Sequence, residues 1–331
     1  MNESNTTVEV LLATYNGERF LRQQIDSVLA QTYKPLLILA RDDGSRDATP
    51  QILAEYAARF PEAFRVITGP PTGKAQENFA ALLAASTAPY VSFCDQDDVW
   101  LPEKIALSMA AMHRLEAAHG THKPLLTFTD LRVVDGDLNV RHASFWAYQP
   151  IQAEAIHSLR RVILQNTVTG NTAVINRTMA ELALPIPFEV HVHDWWVALL
   201  ACAFGAAEPI YEPLVLYRQH GANVTGARLE GRSKGIPRWR NHQKRYEAWR
   251  EAANMARALL SRFRDQLSPA DRKTAELFVR IDESPSAIFR VTNFLRLRPR
   301  PFNGFRSLMA MLLVLIDLPR AKQQSAPVNR L

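Results

Sequence analysis

The sequence predicts an α/β fold: a mostly parallel central sheet covered on both faces by helices, continued by a basic and mainly helical C-terminal region. Three observations predict it. Short apolar runs alternate with amphipathic stretches of helical period over the first hundred residues, turns rich in Asp and Asn follow three of those runs, and charge is unevenly divided along the chain. Alternating strands and helices require right-handed crossovers, which set successive strands parallel and put helices on both faces of the sheet.

The elements follow in order. "TVEVLLA" at the start reads as a buried strand, and in "GERFLRQQIDSVLAQT" the residues Phe20, Leu21, Ile25, Val28 and Leu29 share one helical stripe. "LLILA" is a second strand, "DATPQILAEYAARF" a helix opened by Asp47, "FRVIT" a third strand, "KAQENFAALLAAS" a helix and "YVSFC" a fourth strand. Pro102 suits a first helical position and Glu103 a helix N-terminus, so another helix follows. After Ala117 the rhythm loosens. "LLTFTD" is a strand, residues 131–165 carry no clear period, "TGNTAVIN" is a strand entered through Gly170, "HDWWVALLACAF" is a buried helix capped by Asp194, and "EPIYEPLVLYRQHG" gives one or two strands ending at His220.

With 331 residues, 47% of them hydrophobic, the chain can bury one large core or two. Cys94 and Cys202 lie in apolar runs without paired spacing and read as buried thiols of a reducing compartment, not as a disulfide or zinc site. The polar start "MNESNTTVEV" has no basic flank and no apolar stretch, which points to a cytoplasmic protein without a signal peptide. Residues 1–226 hold 17 basic and 24 acidic side chains, whereas residues 227–331 hold 22 basic and 9 acidic. The break falls in the Gly-rich, charged "TGARLEGRSKGIP", so the sequence predicts one domain over 1–226 and a separate basic region over 227–331.

Chemistry gathers at the ends of three strands. "FCDQDDVW" sets Asp95, Asp97 and Asp98 at the mouth of the fourth strand, where close carboxylates repel unless a cation or hydrogen-bond donors compensate. An acidic turn capping the next helix is the plainer alternative. Ligands of open α/β sheets gather at this edge, and three aspartates in four positions favour a site. "ATYNG" follows the first strand and "RDDGSRD" the second; Asp42, Asp43, Ser45 and Asp47 there are either turn formers and a helix cap or part of the same site. No G-x-G-x-x-G and no P-loop motif is present, so a bound nucleotide would be held by side chains and a metal.

"LLATYNGERFLRQQIDSVLAQTY", "RDDGSRDAT", "FCDQDDVW", "HDWW" and "YRQHGANVTG", in that order, resemble the family 2 glycosyltransferases of the GT-A fold, and within them the rhamnosyltransferase-like branch. The resemblance covers residues 7–226. It implies that Thr14, Tyr15, Asn16 and Glu18 form the first nucleotide-contacting loop, with Asp42 accepting a hydrogen bond from a pyrimidine ring and Asp43 and Ser45 beside it. Asp95 and Asp97 match the D-x-D pair, Asp95 and Gln96 on the sugar–nucleotide side and Asp97, with Asp95, on a divalent metal, Mg²⁺ or Mn²⁺. Asp194 matches the catalytic base, although most members have Glu-Asp where this chain has His193-Asp194. The implied reaction is inverting transfer of a sugar, rhamnose in this branch, from a dTDP- or UDP-sugar to a glycan or lipid-linked glycan.

Residue chemistry agrees with those roles. Carboxylate oxygens suit a hard cation that neutralises a diphosphate leaving group, and a base must stand within reach of the acceptor hydroxyl. Trp195 and Trp196 would raise the pKa of Asp194 and stack on a sugar face, while the alternative leaves Asp194 as a helix cap only. His220 and Arg218 are expected to complete the metal shell and to offset diphosphate charge, or else to be loop residues. Lys74 and Asn78 in "PPTGKAQENF" either face the donor or form a solvated turn and cap, and Gly170 and Asn171 are placed to form an acceptor-side loop.

The tail "RWRNHQKRYEAWREAANMARALLSRFR" interleaves Trp239, Tyr246, Trp249 and Met255 with arginines. No nucleic-acid module accompanies it, so nucleic acid is not an expected partner; a solvated basic face or an anionic membrane surface is. The apolar run Leu308–Ile316 is half the length that spans a bilayer, so it either packs in the core or lies on a surface, the latter suiting peripheral attachment at the inner face of the cytoplasmic membrane. Two rivals stand beside the transferase. A sugar nucleotidyltransferase would want a Gly-rich, Lys- or Arg-bearing loop after the first strand, and a non-catalytic sugar-binding or scaffold protein of the same fold would release no nucleotide diphosphate.

Overall fold

Nine strands pair into one sheet among the residues that the computed structural model describes, which are 6–220, 242–297 and 312. The first half of the sheet follows the expected alternation: β1 (Val8–Thr14), α1 (Leu21–Leu29), β2 (Leu36–Asp42), α2 (Thr49–Arg59), β3 (Phe64–Ile67), α3 (Ala75–Ala85) and β4 (Tyr90–Cys94). Val8, Val10, Leu11, Ile38, Val91 and Phe93 are fully buried, as central strands covered on both faces require. Leu21, Ile25 and Val28 of the predicted stripe are buried against this sheet's core.

Then come β5 (Val99–Trp100), α4 (Lys104–His119), β6 (Leu125–Val134), β7 (Val140–His142), α5 (Phe145–Tyr148), α6 (Leu159–Leu164), β8 (Val174–Asn176), α7 (Arg177–Ala183), α8 (His193–Phe204) and β9 (Ala206–Arg218). The sheet order is β3-β2-β1-β4-β8-β6-β9-β5, with β7 beside β6. Pairs β1–β2, β1–β4, β2–β3 and β6–β9 are parallel, but β4–β8, β6–β8, β6–β7 and β5–β9 are antiparallel. The sheet is therefore mixed, not mostly parallel. The reason lies in β5 and β7, which are two and three residues long and carry too few positions for a period to show, and in β8, whose pairing direction is set by partners distant in sequence.

The chain divides into two compact units, Met1–His157 with Asn166–Ile186 and Val192–Leu229, and Ser158–Gln165 with Pro187–His191 and Glu230–Leu331. The predicted division at 226/227 contains nothing of the two short segments that join the second unit. That unit contains α6, α9 (His242–Phe263), α10 (Pro269–Glu283) and α11 (Ala287–Arg296). Tyr246, Trp249 and Met255 are buried in it: Trp249 stacks on Phe278 with centroids 5.7 Å apart and donates its indole N–H to Asp282 at 3.1 Å. These residues build a helical core and so are not an exposed aromatic strip. Trp239 and the run Leu308–Ile316 lie outside the described residues, apart from residue 312.

Register decides where the site forms. Thr14 pairs with Asp42 across β1–β2, and Leu12 with Cys94 across β1–β4. The loops that leave β1, β2 and β4 therefore emerge at one edge.

Candidate active site

The loop after β1 leaves the sheet through Asn16, whose φ of 48° lies in the left-handed region that Asn tolerates better than most side chains. It is laced to the loop after β2. Asn16 N–H donates to Ser45 Oγ at 2.7 Å and its Oδ1 accepts from Arg46 N–H at 2.9 Å, while Glu18 Oε2 accepts from Ala48 N–H at 2.8 Å. Thr14 Oγ1 reaches Asp42 Oδ1 at 3.1 Å, and Asp42 also accepts N–H bonds from Gly44 at 3.1 Å and Ser45 at 2.8 Å. Gln96 ties the third loop to the first, its Oε1 accepting Tyr15 N–H and its Nε2 donating to Tyr15 O, both at 2.8 Å. A Cβ on Gly17 would stand 2.2 Å from Gln96 Oε1, so a side chain there would displace the Gln96 amide from Tyr15. The Tyr15 side chain stays 54% exposed at the rim.

Several residues expected at the donor turn inward. Asp43 accepts from Arg41 Nη1 at 3.2 Å, Thr72 N–H at 2.6 Å and Gly73 N–H at 2.8 Å. Burial acts to raise its carboxyl, but the bonds from Thr72, Gly73 and Arg41 prevail and hold it below the usual range. Asn78, also buried, accepts from Arg41 Nη1 at 2.7 Å and donates to the Arg41 carbonyl at 3.3 Å. Asp43 and Asn78 thus brace Arg41 beneath the loops. Gln96 likewise spends both ends of its amide on Tyr15. Lys74 Nζ lies 2.7 Å from Glu77 in an exposed ion pair.

The three aspartates after β4 have three different surroundings. Asp95 is half-buried, and burial, with Asp97 and then Asp194 nearby, pushes its carboxyl up to about 7. Asp97 Oδ2 stands 2.8 Å from His220 Nε2, and the His220 ring packs 4.9 Å from Phe20. Asp98 is fully buried; its Oδ1 accepts Arg218 N–H at 2.9 Å and its Oδ2 accepts Asn171 Nδ2–H. Burial, then Asp97 and Asp95, push the Asp98 carboxyl well above the ordinary range, against those bonds. Arg218, expected to meet a diphosphate, is 1% exposed and donates to the Asp97 carbonyl at 2.8 Å, to the Gly136 carbonyl and to Gln23 Oε1 at 2.7 Å. Its guanidinium is a strut under the Asp97 backbone.

Asp194 sits in the first turn of α8, 8% exposed. Its Oδ1 accepts Asn166 Nδ2–H and its Oδ2 accepts Gly170 N–H, both at 2.7 Å. Burial pushes the carboxyl up to about 6, against those two bonds and one from Trp195 N–H. A Cβ on Gly170 would meet His193 Nε2 at 2.9 Å and Asp194 Oδ2 at 3.4 Å, which explains glycine there. His193 packs against Phe79 and Phe93 at 4.1 and 4.7 Å, and burial lowers it to about 3, so it is a neutral wall beside Asp194. Trp196 is fully buried with its indole N–H on the Ala183 carbonyl at 3.1 Å, so it is a core residue and no platform for a sugar. Trp195 is 7% exposed. Gly170 and Asn171 are both buried and serve Asp194 and Asp98, so they present no loop to an acceptor.

Among the described residues no three His, Cys, Asp or Glu side chains converge as a metal-holding group. Asp97 and His220 nevertheless fit a hard divalent cation: one oxygen and one nitrogen donor adjoin, each side chain is partly accessible at 18% and 16%, and Asp95 stands close enough to feel the charge of Asp97. Mg²⁺ commonly takes one or two carboxylates and completes its shell with water and substrate phosphate.

Sequence reasoning missed Asn166, the side-chain holder of Asp194, which stands in a stretch without any period. It also missed Lys104, which is fully buried with Nζ 2.9 Å from Ser92 Oγ and 3.4 Å from the Trp100 ring centre; burial lowers its ammonium to about 7. Its signal was present, since Lys104 shares a helical stripe with the buried Ser108, Met112 and Leu115.

Residues 9–129 match the profile of Glycosyl transferase family 2. An uncharacterized protein of Mycobacterium tuberculosis is 27% identical over 229 residues, which are 69% of this chain and 63% of that protein; the chain thus spans under two thirds of the length of the first curated relatives it matches. The dTDP-rhamnosyl transferase RfbG of Shigella flexneri is 24% identical over 237 residues, 67% of this chain and 76% of its own. The structure of S. aureus TarS 1-349 in complex with UDP-GlcNAc superposes with a TM-score of 0.56 at 13% identity, covering 98% of this chain and 93% of that one, a likeness of GT-A-like fold.

Proposed function

We propose, from the match of residues 9–129 to Glycosyl transferase family 2, that the chain moves a sugar from a pyrimidine-nucleotide donor to a glycan acceptor, with inversion at the anomeric carbon. The observation that carries this reading is convergence: the β1 and β2 loops are bonded to each other, Gln96 joins them to Asp95 and Asp97, and Asp194 lies close enough to raise the Asp95 carboxyl. Tyr15 and Asp42 offer an exposed ring and a carboxylate to the base and its N–H. Asp194, held at both oxygens, takes the proton of the acceptor hydroxyl as that oxygen bonds to the anomeric carbon and the bond to the diphosphate breaks on the opposite face. Asp97 and His220, with Asp95, would hold Mg²⁺ or Mn²⁺, whose charge neutralises the departing diphosphate. The RfbG likeness and the "DQDDVW" and "HDWW" motifs support dTDP-rhamnose as donor and a lipid-linked polysaccharide as acceptor.

A thermal-shift panel of UDP, dTDP and GDP with and without Mn²⁺ tests the reading. One pyrimidine diphosphate is expected to stabilise the protein only with metal, by about 2.7 kcal/mol at a hundredfold excess over Kd, and Asp97→Ala is expected to lose the effect. Absence of any shift in the wild-type protein would sink the transferase reading.

We also place the second unit at an anionic membrane surface. The net positive charge of residues 227–331 supports it, as does α11, which exposes Ile288 (78%) and Leu295 (46%) seven residues apart on one face beside Arg296. Among the described residues no helix is long and apolar enough to cross a membrane. The protein is expected to float with vesicles containing phosphatidylserine and to leave them at high salt; flotation equal with neutral vesicles would remove the electrostatic attachment.

A further inference from the structure

Asp98 links parts of the site that are far apart in sequence. One oxygen accepts the Arg218 N–H at 2.9 Å, two residues before His220; the other accepts from Asn171. Asn171 sits in the 3₁₀ turn Gly170–Thr172, whose Gly170 N–H donates to Asp194 Oδ2 at 2.7 Å. Arg218 closes the circuit, because its Nε–H returns to the Asp97 carbonyl at 2.8 Å. A single buried carboxyl is thus one bond from the turn that holds Asp194 and one bond from the strand end that presents His220 to Asp97.

Resting on the transferase reading, we propose that Asp98 is a positioning residue, a clasp that fixes the Asp97–His220 pair and the Asp194 carboxylate relative to each other. The physical ground is the cost of leaving a buried partner unmet. Asp98 has no solvent to turn to, so losing either donor leaves a desolvated oxygen, and the segments on both sides shift to find new partners. Coupling through such a shared group is what makes neighbouring substitutions non-additive. Asp98 also differs from Asp95 and Asp97 in being fully enclosed, and its two bonds run to a backbone N–H and a neutral amide. That environment suits a bond acceptor whose task is geometry.

The test uses the full chain and two variants. Asn171→Ala cuts one arm without touching β9 or His220. Asp98→Asn keeps a carbonyl for Arg218 N–H and an amide that can pair with Asn171, whose own Oδ1 has no partner. Hydrogen exchange read by mass spectrometry is followed over residues 166–176 and 212–220. In Asn171→Ala exchange is expected to rise over both segments together, and the Mn²⁺ concentration giving half-maximal nucleotide diphosphate binding to rise about tenfold. In Asp98→Asn both segments are expected to keep their protection and the Mn²⁺ requirement to stay within about threefold, a rescue by shape that a metal-ligating carboxylate would not show. Exchange confined to 166–176 in Asn171→Ala, or an Asp98→Asn protein that loses Mn²⁺ binding as fully as Asp97→Ala, would overturn the clasp. Coupled exchange in Asn171→Ala, together with a wild-type protein that binds no nucleotide with metal, would instead overturn the transferase reading and leave the clasp standing.

Discussion

Asp194→Asn is expected to lower kcat by about 10²- to 10⁴-fold while metal-dependent binding of the nucleotide diphosphate is retained. Both Asp194 oxygens accept N–H bonds, from Asn166 and Gly170. An amide there sets its own N–H₂ against one of those donors at a cost of about 1–3 kcal/mol, so a thermal melt must accompany the kinetics to show that the variant is folded. The pH profile of the wild-type enzyme gives an independent check. Burial raises the Asp194 carboxyl to about 6, and only its deprotonated form accepts a proton. Below about pH 6 the rate is therefore expected to fall roughly tenfold per unit, and above it to level off. Near-normal turnover by Asp194→Asn, or an acid limb absent down to pH 5, would move the base elsewhere.

Trp196→Ala is expected to cost about 3–5 kcal/mol of stability, the usual penalty for emptying a large core site. The residue is fully buried, and its indole N–H bonds the Ala183 carbonyl, so the variant loses packing and strands a buried acceptor. In a unit of this size the thermal midpoint should drop by about 10 °C. A sugar-stacking Trp196 would behave in the opposite way, with an unchanged midpoint and a raised KM for the acceptor. Comparing the two variables in one preparation separates core from platform.

How far the sequence could be read depended on whether a residue's partner was near in the chain. Period and turn chemistry located the strands and helices of the first hundred residues, because both are written within windows of about ten residues. Asp47, whose Oδ1 accepts the Thr49 N–H, and Glu103 at the start of α4 were legible for the same reason, whereas Pro102 precedes that cap and does not take the first helical position. The short strands β5 and β7 were not, since two or three residues hold no period, and β8, read as a strand within "TGNTAVIN", gave no sign of its antiparallel pairing with β4 and β6. Asn166 was invisible because its partner, Asp194, is 28 positions away.

By itself, then, the sequence determined the α/β alternation, the gathering of acidic loops at the ends of β1, β2 and β4, and the family to which its motifs are similar. Those follow from local propensity and from the order of short motifs. Only the tertiary structure decided which of the acidic and polar residues are open to a ligand. Tyr15 keeps an exposed ring, and Asp42 and Asp97 stay partly accessible beside their own bonds to Ser45 and His220, whereas Asp43, Asn78, Asn171 and Arg218 are buried and bound to protein partners, most of them tens of residues away. The same holds for Tyr246 and Trp249, whose arginine-rich surroundings suggest a surface but which form a core. A residue type states what bonds a side chain can make; burial and the partner brought within 3 Å by the fold settle which bonds it does make.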